Sequence, residues 1–580
     1  MLLAARLIAF VLSRLYQRVW RYASVEELIA VVLAVVGSSF VAYFVVYAVV
    51  LTTPGPVPGF PRSVVILDTG LMVGLAGAWR FALRLGAVGR VGQRVPLGPT
   101  ERALIVGDGS AALATIRELR ANPALALSAI GILADDLPVG QRLLGLPVVG
   151  RRAELQTVIH RDRIQVVLLA LPSADGRTLR RMVREAEAEG ARCLTVPSIA
   201  EVVAGRVTMN AIREIDVEDL LRRAPARIDL RSVSESFRGS CVLITGAGGS
   251  IGGELARQTL AFNPRRLVLL GRGENSVFET LNSFSSTGSG PDVTPVIMDI
   301  RERAQLFRLF SEVRPDVVFH AAAHKHVTFM ETFPEEAVMT NVLGTANVLD
   351  AAVVANVGRL VFISSDKAVN PTSVMGATKR VGELLVHQAA LENSLSYTSV
   401  RFGNVLSSRG SVIPLFRLQL ARGGPLTVTD PDAMRYFMTI PEAVQLVLQA
   451  AVMASAGDTF VLDMGEPVRI VQLARDLIEL HGLEPERDIQ LQFIGQRPGE
   501  KLIEELYFSS EHPEPTAHEA IKRVRGQAEQ HPELRAEMER LRTLAEAGQR
   551  SELVRWLAVV VPEYSSHGTD TPSRTTTDLA

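Results

Sequence analysis

Ser365, Asp366 and Lys367 place a hydroxyl, a carboxyl and an amine in consecutive positions within LVFISSDKAVNPTSVMGATKR, residues 360–380. Such a set can give and take protons at neighbouring atoms of one bound molecule. A second lysine, Lys379, follows twelve residues later, and Met375 stands four positions before it. Methionine cannot exchange a proton, so proton transfer here falls to the other groups. A different chemistry is written in CVLITGAGGSIG, residues 241–252. Gly246, Gly249 and Gly252 permit a tight turn and a close approach of backbone to a diphosphate. Ser250 and Ile251 open the helix whose N-terminus favours the anion.

The elements around these residues alternate strand and helix. An apolar strand precedes the glycine turn, and RLVLLGR (266–272) and TPVIMDI (294–300) supply the next two strands. DVVFHAAAHKHVTFME (316–331) gives a fourth, and the fifth ends at the Ser-Asp-Lys turn. This order predicts a parallel sheet with the functional residues at its carboxyl ends. An acid at the end of the second strand would bind the ribose of NAD. That position holds Gly271 followed by Arg272, which tilts the reading towards the 2'-phosphate of NADP. Asp299 and Ile300 follow the third strand, where a carboxylate can meet adenine. Ala321, Ala322 and Ala323 are small enough to lie against a dinucleotide. His324 and His326 are two apart without further ligands, which does not make a metal site. Asn341 falls in the next helix.

An earlier stretch repeats the pattern in weaker form. The strand RALIVGD (102–108) runs into Gly107, Gly109 and Ala112, and strands at 129–136 and 164–172 follow with a helix over 177–191. A Rossmann-like unit over 100–225 is expected, its ligand open because the third glycine is an alanine. Upstream, residues 28–51 are uncharged over a length sufficient to cross a bilayer, and 63–86 form a second apolar run. Arg6, Arg14, Arg18 and Arg21 precede the first run and Arg80, Arg84, Arg90 and Arg94 close the second, with Arg62 alone between them. Both ends of this hairpin are thus expected in the cytoplasm, with residues 6–22 as an interfacial helix. Helices are expected over 470–482 and 516–560, closing a substrate lobe, and a disordered Thr-rich tail over 564–580. The net charge of -1 gives no reason to expect nucleic acid, and two distant cysteines support neither disulfide nor zinc.

The fold class expected is therefore α/β. A membrane region (1–95) precedes two Rossmann-like parallel-sheet domains (100–225 and 232–560), the second with a C-terminal substrate-binding lobe.

SSDKAVNPTSVMGATKR, HAAAHKHVTFME, RFGNVLSSRGSVIPLF and RPGEKLIEEL together resemble the long, membrane-bound nucleotide-sugar 4,6-dehydratases of polysaccharide biosynthesis. These are extended short-chain dehydrogenases, most of which carry Ser, Tyr and Lys with the last two spaced YxxxK. The resembling family has methionine at the tyrosine position, as Met375 stands here. It usually has four membrane spans, whereas this sequence shows two, and its opening resembles the segment before the third. The resemblance implies bound NAD(P)+, a UDP-sugar such as UDP-N-acetylglucosamine, a multi-pass plasma-membrane location in contact with lipid, and self-association. It implies transient oxidation at C4, loss of water across C5–C6 and no net redox change. By the same resemblance Lys367 is the C5 base, Asp366 the acid for the C6 hydroxyl, Ser365 a partner of the C4 oxygen, Met375 a sugar contact and Lys379 a nicotinamide-ribose contact. His324, Lys325, Asn341, Asn404, Arg409, Ser411, Arg435 and Arg497 are expected around the nucleotide-sugar, the arginines on its diphosphate. A UDP-sugar 4-epimerase and a non-catalytic nucleotide-sugar-binding membrane scaffold are the alternatives.

Overall fold

The computed structural model describes residues 25–52, 63, 66–75, 100–172, 174–196, 212–221, 229–284, 291–525 and 534–565. The expected interfacial helix (6–22), the basic flanks of the expected hairpin and nearly all of the expected disordered tail lie outside the described residues.

Helix α1, Val25–Thr52, contains the first apolar run. Its Leu33, Phe40 and Phe44 are exposed, as are Ile66, Leu67 and Leu71 on the described part of the second run. The two segments meet at a cleft lined by Ser39, Phe40 and Tyr43 on one side and Ile66, Thr69 and Gly70 on the other. Among the described residues, the one helical run passing a length and hydropathy test for a membrane span is Pro334–Val354, and it is largely buried within the protein.

Two sheets follow. The first is built from β1 (Glu101–Gly107), β2 (Leu127–Leu133), β3 (Arg142–Leu143), β4 (Leu146–Gly150), β5 (Val166–Ala170), β6 (Arg192–Thr195) and β7 (Arg213–Glu214). Their spatial order is β3-β4-β2-β1-β5-β6-β7; neighbours from β4 through to β6 pair parallel, and β3 and β7 pair antiparallel at the edges. Every residue of β5 is buried, as its unbroken VVLLA run requires of a central parallel strand.

The second sheet contains β8 (Cys241–Thr245), β9 (Arg266–Gly271), β10 (Asp292–Ile297), β11 (Val317–His320), β12 (Arg359–Ile363) and β13 (Ser396–Arg401). They lie in the order β10-β9-β8-β11-β12-β13, continued by Thr459–Leu462 in parallel and then by Ile521–Arg525 and His512–Pro515 in antiparallel pairing. The strand order reverses direction between β8 and β11, and ligands of doubly wound sheets bind at the carboxyl side of that point.

Two expectations for the C-terminal part are corrected. Residues 521–525 are a strand, not part of a helix: they pair antiparallel with Thr459–Leu462 on one side and His512–Pro515 on the other, with Ile521 and Val524 buried. The helices that do form, Met538–Glu546 and Arg550–Val560, do not close the substrate lobe. Their Leu541, Leu553, Trp556 and Leu557 join the apolar cluster beneath the second sheet, together with Leu385 and Ala389. The lobe has its own core of Leu406, Ile413, Phe416, Phe437, Leu473 and Leu477, which also takes in Val217 and Leu221 from the end of the first unit. Arg417 pairs with Asp216 and Glu218, and Arg180 with the buried Asp476, so charges cross that same junction.

Candidate active site

The β8 strand ends at Thr245 and the chain turns through Gly246 at φ +68°, a conformation that favours glycine. A Cβ on Gly246 would lie 2.7 Å from the Ala322 backbone nitrogen, and one on Gly252 would lie 2.2 Å from the Gly246 carbonyl oxygen. Both positions need the bare backbone. Helix α3, Ser250–Leu260, starts with Gly249 at its N-cap and no side chain capping it. Its first N–H groups are thus open to an anion. Ile251 packs on the apolar cluster behind the turn.

Below the turn, His320 is buried between two hydroxyls, its Nδ1 2.7 Å from Thr245 Oγ1 and its Nε2 2.9 Å from Thr345 Oγ1. Burial, aided by the charge of Lys379, pushes this imidazole down to about 3, so it is a neutral hydrogen-bonding bridge. It fixes the start of the Ala321–Ala323 stretch, whose three residues are half-buried. Arg272 is exposed, 3.7 Å from Asp299. Asp299 is held below the usual carboxylate range: burial opposes its charge, but hydrogen bonds from Arg301 and then the charge of Arg272 prevail. Ile300 is directed inward, where a Cβ on Gly344 would lie 2.6 Å from its Cδ1. The glycine turn, the open helix N-terminus and the small residues of 321–323 fit a dinucleotide.

The Ser-Asp-Lys turn follows β12. Ser365 caps a single helical turn over Asp366–Ala368. Asp366 is buried, and its Oδ1 accepts from Ser365 Oγ at 2.9 Å and from Lys367 Nζ at 3.0 Å. Lys367 Nζ also donates to Asn404 Oδ1 at 3.1 Å and lies 3.5 Å from Glu504 Oε1. Burial opposes the ammonium, yet Asp366 and then Glu504 outweigh it, against Arg435, and hold the amine above the ordinary lysine value. A lysine acting as a base must first lose its proton, and these neighbours favour the ammonium of Lys367.

Helix α4, Val374–Asn393, begins beside this turn, N-capped by Ser373, whose hydroxyl accepts from Gly376 N at 3.1 Å. Gly376 lets it approach, since a Cβ there would lie 2.2 Å from the Lys367 carbonyl oxygen. Met375 is 3% exposed and belongs to the apolar cluster with Val338 and Val342. The inward face of the first helical turn takes it into the core. Lys379 Nζ donates to the Ile363 carbonyl at 2.6 Å and lies 4.3 Å from the centre of the Phe362 ring. Burial, opposed by Glu383, pushes this amine down to about 8.

The remaining expected residues divide into two groups. Asn404 reaches the Ser-Asp-Lys turn. Lys325 Nζ meets Ser408 Oγ at 3.3 Å, and burial lowers its affinity for a proton. His324 Nε2 and Ser411 Oγ are buried without hydrogen-bond partners. Arg435 donates to the carbonyls of Met434 and Leu502 and lies 3.9 Å from Glu504. Arg409 stands over the glycine turn, donating to the Gly248 carbonyl at 3.2 Å. Asn341 is committed internally: its amide bonds both the N–H and the carbonyl of His324 and the hydroxyl of Thr378. It lies in a π-helical turn, Val338–Leu343, and positions rather than presents. Arg497 is exposed. Sequence reasoning missed Glu504, three residues after Lys501 in a motif whose arginine drew attention instead. It also missed the Thr245–His320–Thr345 bridge, for which a histidine ending a buried strand is the available signal.

The first glycine turn is arranged otherwise. Gly107 packs on β5, and a Cβ there would lie 2.3 Å from the Ala170 carbonyl oxygen. Helix α2, here Gly109–Ala121, has its first N–H taken by the Asp136 carboxylate at 3.0 Å. Arg152 pairs with Asp108 and with Asp135, the latter at 3.2 Å.

A doubly wound sheet whose switch point carries an open glycine turn and a Ser-Asp-Lys turn defines a nucleotide-binding protein of the extended short-chain dehydrogenase type. A family model described as polysaccharide biosynthesis protein matches residues 242–526, and one described as a CoA-binding domain matches residues 14–197. The capsular polysaccharide biosynthesis protein CapD of Staphylococcus aureus is 39% identical over 525 residues, covering 89% of this chain and 85% of that protein. The Bacillus subtilis protein described as a probable polysaccharide biosynthesis protein, EpsC, is 39% identical over 513 residues, covering 88% of this chain and 84% of its own. A UDP-glucose 4-epimerase of Rickettsia canadensis is 36% identical over 282 residues, 47% of this chain and 80% of that protein. The chain belongs to the polysaccharide biosynthesis protein family, within the nucleotide-sugar-modifying short-chain dehydrogenases.

Proposed function

We propose that this protein is a nucleotide-sugar 4,6-dehydratase acting on UDP-N-acetylglucosamine or a close UDP-sugar, anchored in the plasma membrane with its catalytic unit on the cytoplasmic side. The observation that carries the reading is the Asp366–Lys367 pair, joined at 3.0 Å and set beside helix α4, where Met375 replaces a proton-exchanging residue. An enzyme that only oxidised and reduced C4 would need no such pair next to the turn. A dehydratase needs one group to take the C5 proton and another to give a proton to the departing C6 hydroxyl.

A bound nicotinamide dinucleotide, NAD or NADP, would accept the hydride from C4 and return it at C6. Gly246, Gly249, Gly252 and the start of α3 would hold its diphosphate, Arg272 and Asp299 would flank its adenosine, and Lys379 would meet its ribose. Ser365 lies on the same turn as the pair and would hydrogen-bond the C4 oxygen. Asp366 and Glu504 favour the ammonium of Lys367, which suits it to donate to the leaving hydroxyl; to act instead as the C5 base it must first give up that proton. Arg409, Arg435 and Arg497 remain the candidates for diphosphate contacts.

The full chain in detergent, incubated with UDP-N-acetylglucosamine in deuterated water, tests this by mass spectrometry and proton NMR. A product lighter by one water, with a C6 methyl group and no net cofactor reduction, is expected. A mass-neutral product would favour the second reading, a UDP-sugar 4-epimerase, which the Rickettsia relative suggests. Unaltered substrate with retained binding would favour the scaffold reading.

A further inference from the structure

The chain from Gly499 to Glu505 is tied across the catalytic turn at several places. The Gly499 carbonyl accepts from Thr372 Oγ1 at 3.0 Å, Lys501 Nζ donates to the Val369 carbonyl at 3.0 Å, and Glu505 accepts from Asn370 Nδ2 at 3.1 Å. Gly499 has φ +79°, and a Cβ there would lie 2.9 Å from Ser373 Cβ, so this strap lies directly on the start of α4. On the other side the Leu502 carbonyl accepts from Met434 N at 2.8 Å. Leu502 and Ile503 are exposed, yet Glu504 between them and Glu505 is only 4% exposed. A carboxylate removed from water in this way needs compensation from a nearby charge or donor. Its Oε1 finds Lys367 Nζ at 3.5 Å and Arg435 Nε at 3.9 Å, while Oε2 is buried and has no hydrogen-bond partner. Asp366 Oδ2 is also unpartnered, but it is walled in by Gly403, whose added Cβ would lie 3.1 Å from it.

We propose that Glu504 is a further positioning residue of this centre, holding the Lys367 amine from the strap as Asp366 holds it from the turn and keeping one oxygen available for a hydroxyl of the bound sugar. The groups facing Lys367 are Asp366 and Ser365 on its own turn, Asn404 on the following loop, Arg435 on the lobe and Glu504 on the strap. Two carboxylates against one guanidinium leave the amine on the charged side. Removing one of them leaves Asp366 opposed by Arg435, and the ammonium loses its advantage. The inference deepens the dehydratase reading, on which its kinetic arm alone rests.

The test uses Glu504→Gln in the full detergent-solubilised chain, with thermal melting to confirm folding. The midpoint for acetylation of Lys367 by acetic anhydride, read by mass spectrometry against pH, needs no substrate. It is expected to fall by about one pH unit or more relative to wild type. With UDP-N-acetylglucosamine, kcat is expected to fall at least ~30-fold while the limb of the pH profile assigned to Lys367 moves to lower pH. Glu504→Asp keeps the charge but withdraws it, and its midpoint is expected between the two; it replaces the Gln variant if that one does not fold. An unchanged Lys367 midpoint in a folded variant overturns the proposal. A wild-type chain that does not turn over the sugar sinks the dehydratase reading and leaves the labelling arm standing.

Discussion

The chain contains two glycine turns of similar appearance that are built for opposite ends. At Gly107–Ala112 the helix N-terminus is occupied by the protein's own Asp136, and Asp108, Asp135 and Arg152 crowd the same corner. At Gly246–Gly252 the helix N-terminus has no side-chain cap, and the nearest side of the turn is the small-residue stretch 321–323. Both follow buried parallel strands. The difference lies in what the next strand delivers: an acid that folds back on the first turn, and Gly271 at the second. A carboxylate at a helix N-terminus satisfies the same N–H groups and dipole that a phosphate would use. The fold supplies the socket twice, and side chains decide whether it is filled from within.

The comparison breaks first at Gly252. Gly252→Ala forces a methyl within 2.2 Å of the Gly246 carbonyl, and NAD(P) affinity is expected to fall on the order of 100-fold or more, by calorimetric titration. Gly109→Ala in the first turn meets only ordinary contacts, the nearest 3.4 Å away, and is expected to leave cofactor binding unchanged. Equal losses in the two variants would remove the distinction.

The second turn matters only if chemistry is placed beside it. Lys367→Ala is expected to lower dehydratase turnover by roughly 100- to 10,000-fold, measured by loss of water from the sugar. Full activity in that variant would sink the role given to the pair.

A third prediction concerns Lys379. Its amine is held at about 8 in the folded protein against an unfolded value near 10.5, so the folded state disfavours the proton. Below pH 8 that destabilisation is fully present, and it is relieved as pH rises from 8 towards 10.5. Relative to Lys379→Met, wild-type stability should therefore increase across this window, by on the order of 3 kcal/mol in chemical denaturation. A flat difference would mean that the lysine is not desolvated.

The smallest effect is expected at Asp136. Asp136→Asn weakens the internal cap of α2 and should cost about 1 kcal/mol, with turnover unchanged. A loss of turnover in that folded variant would instead tie the first turn to the second.

Legibility in the sequence followed the range of the interactions. The strand ending at Thr245, the glycine spacing and the Ser-Asp-Lys turn are local patterns, and the structure places all three at one end of one sheet. Arg409, Asn341 and Met375 were legible as members of motifs but not in their placement. Which way each side chain faces depends on Gly248, His324 and the core beneath α4, all distant in sequence from the motif's own neighbours. Residues 521–525 misled for a similar reason: a charged five-residue run resembles a helix face until a strand edge is present to receive it.

By itself the sequence determined the doubly wound catalytic sheet, the diphosphate turn, the absence of a proton-exchanging residue at 375 and the family resemblance, because period, glycine spacing and residue chemistry act over a few neighbours. Only the tertiary structure decided that Asp136 fills the first turn, that Met375 goes into the core and that Glu504 arrives over Lys367. Those outcomes rest on contacts between segments separated by 27 to 137 residues, where burial and charge pairing are set by packing rather than by spacing along the chain.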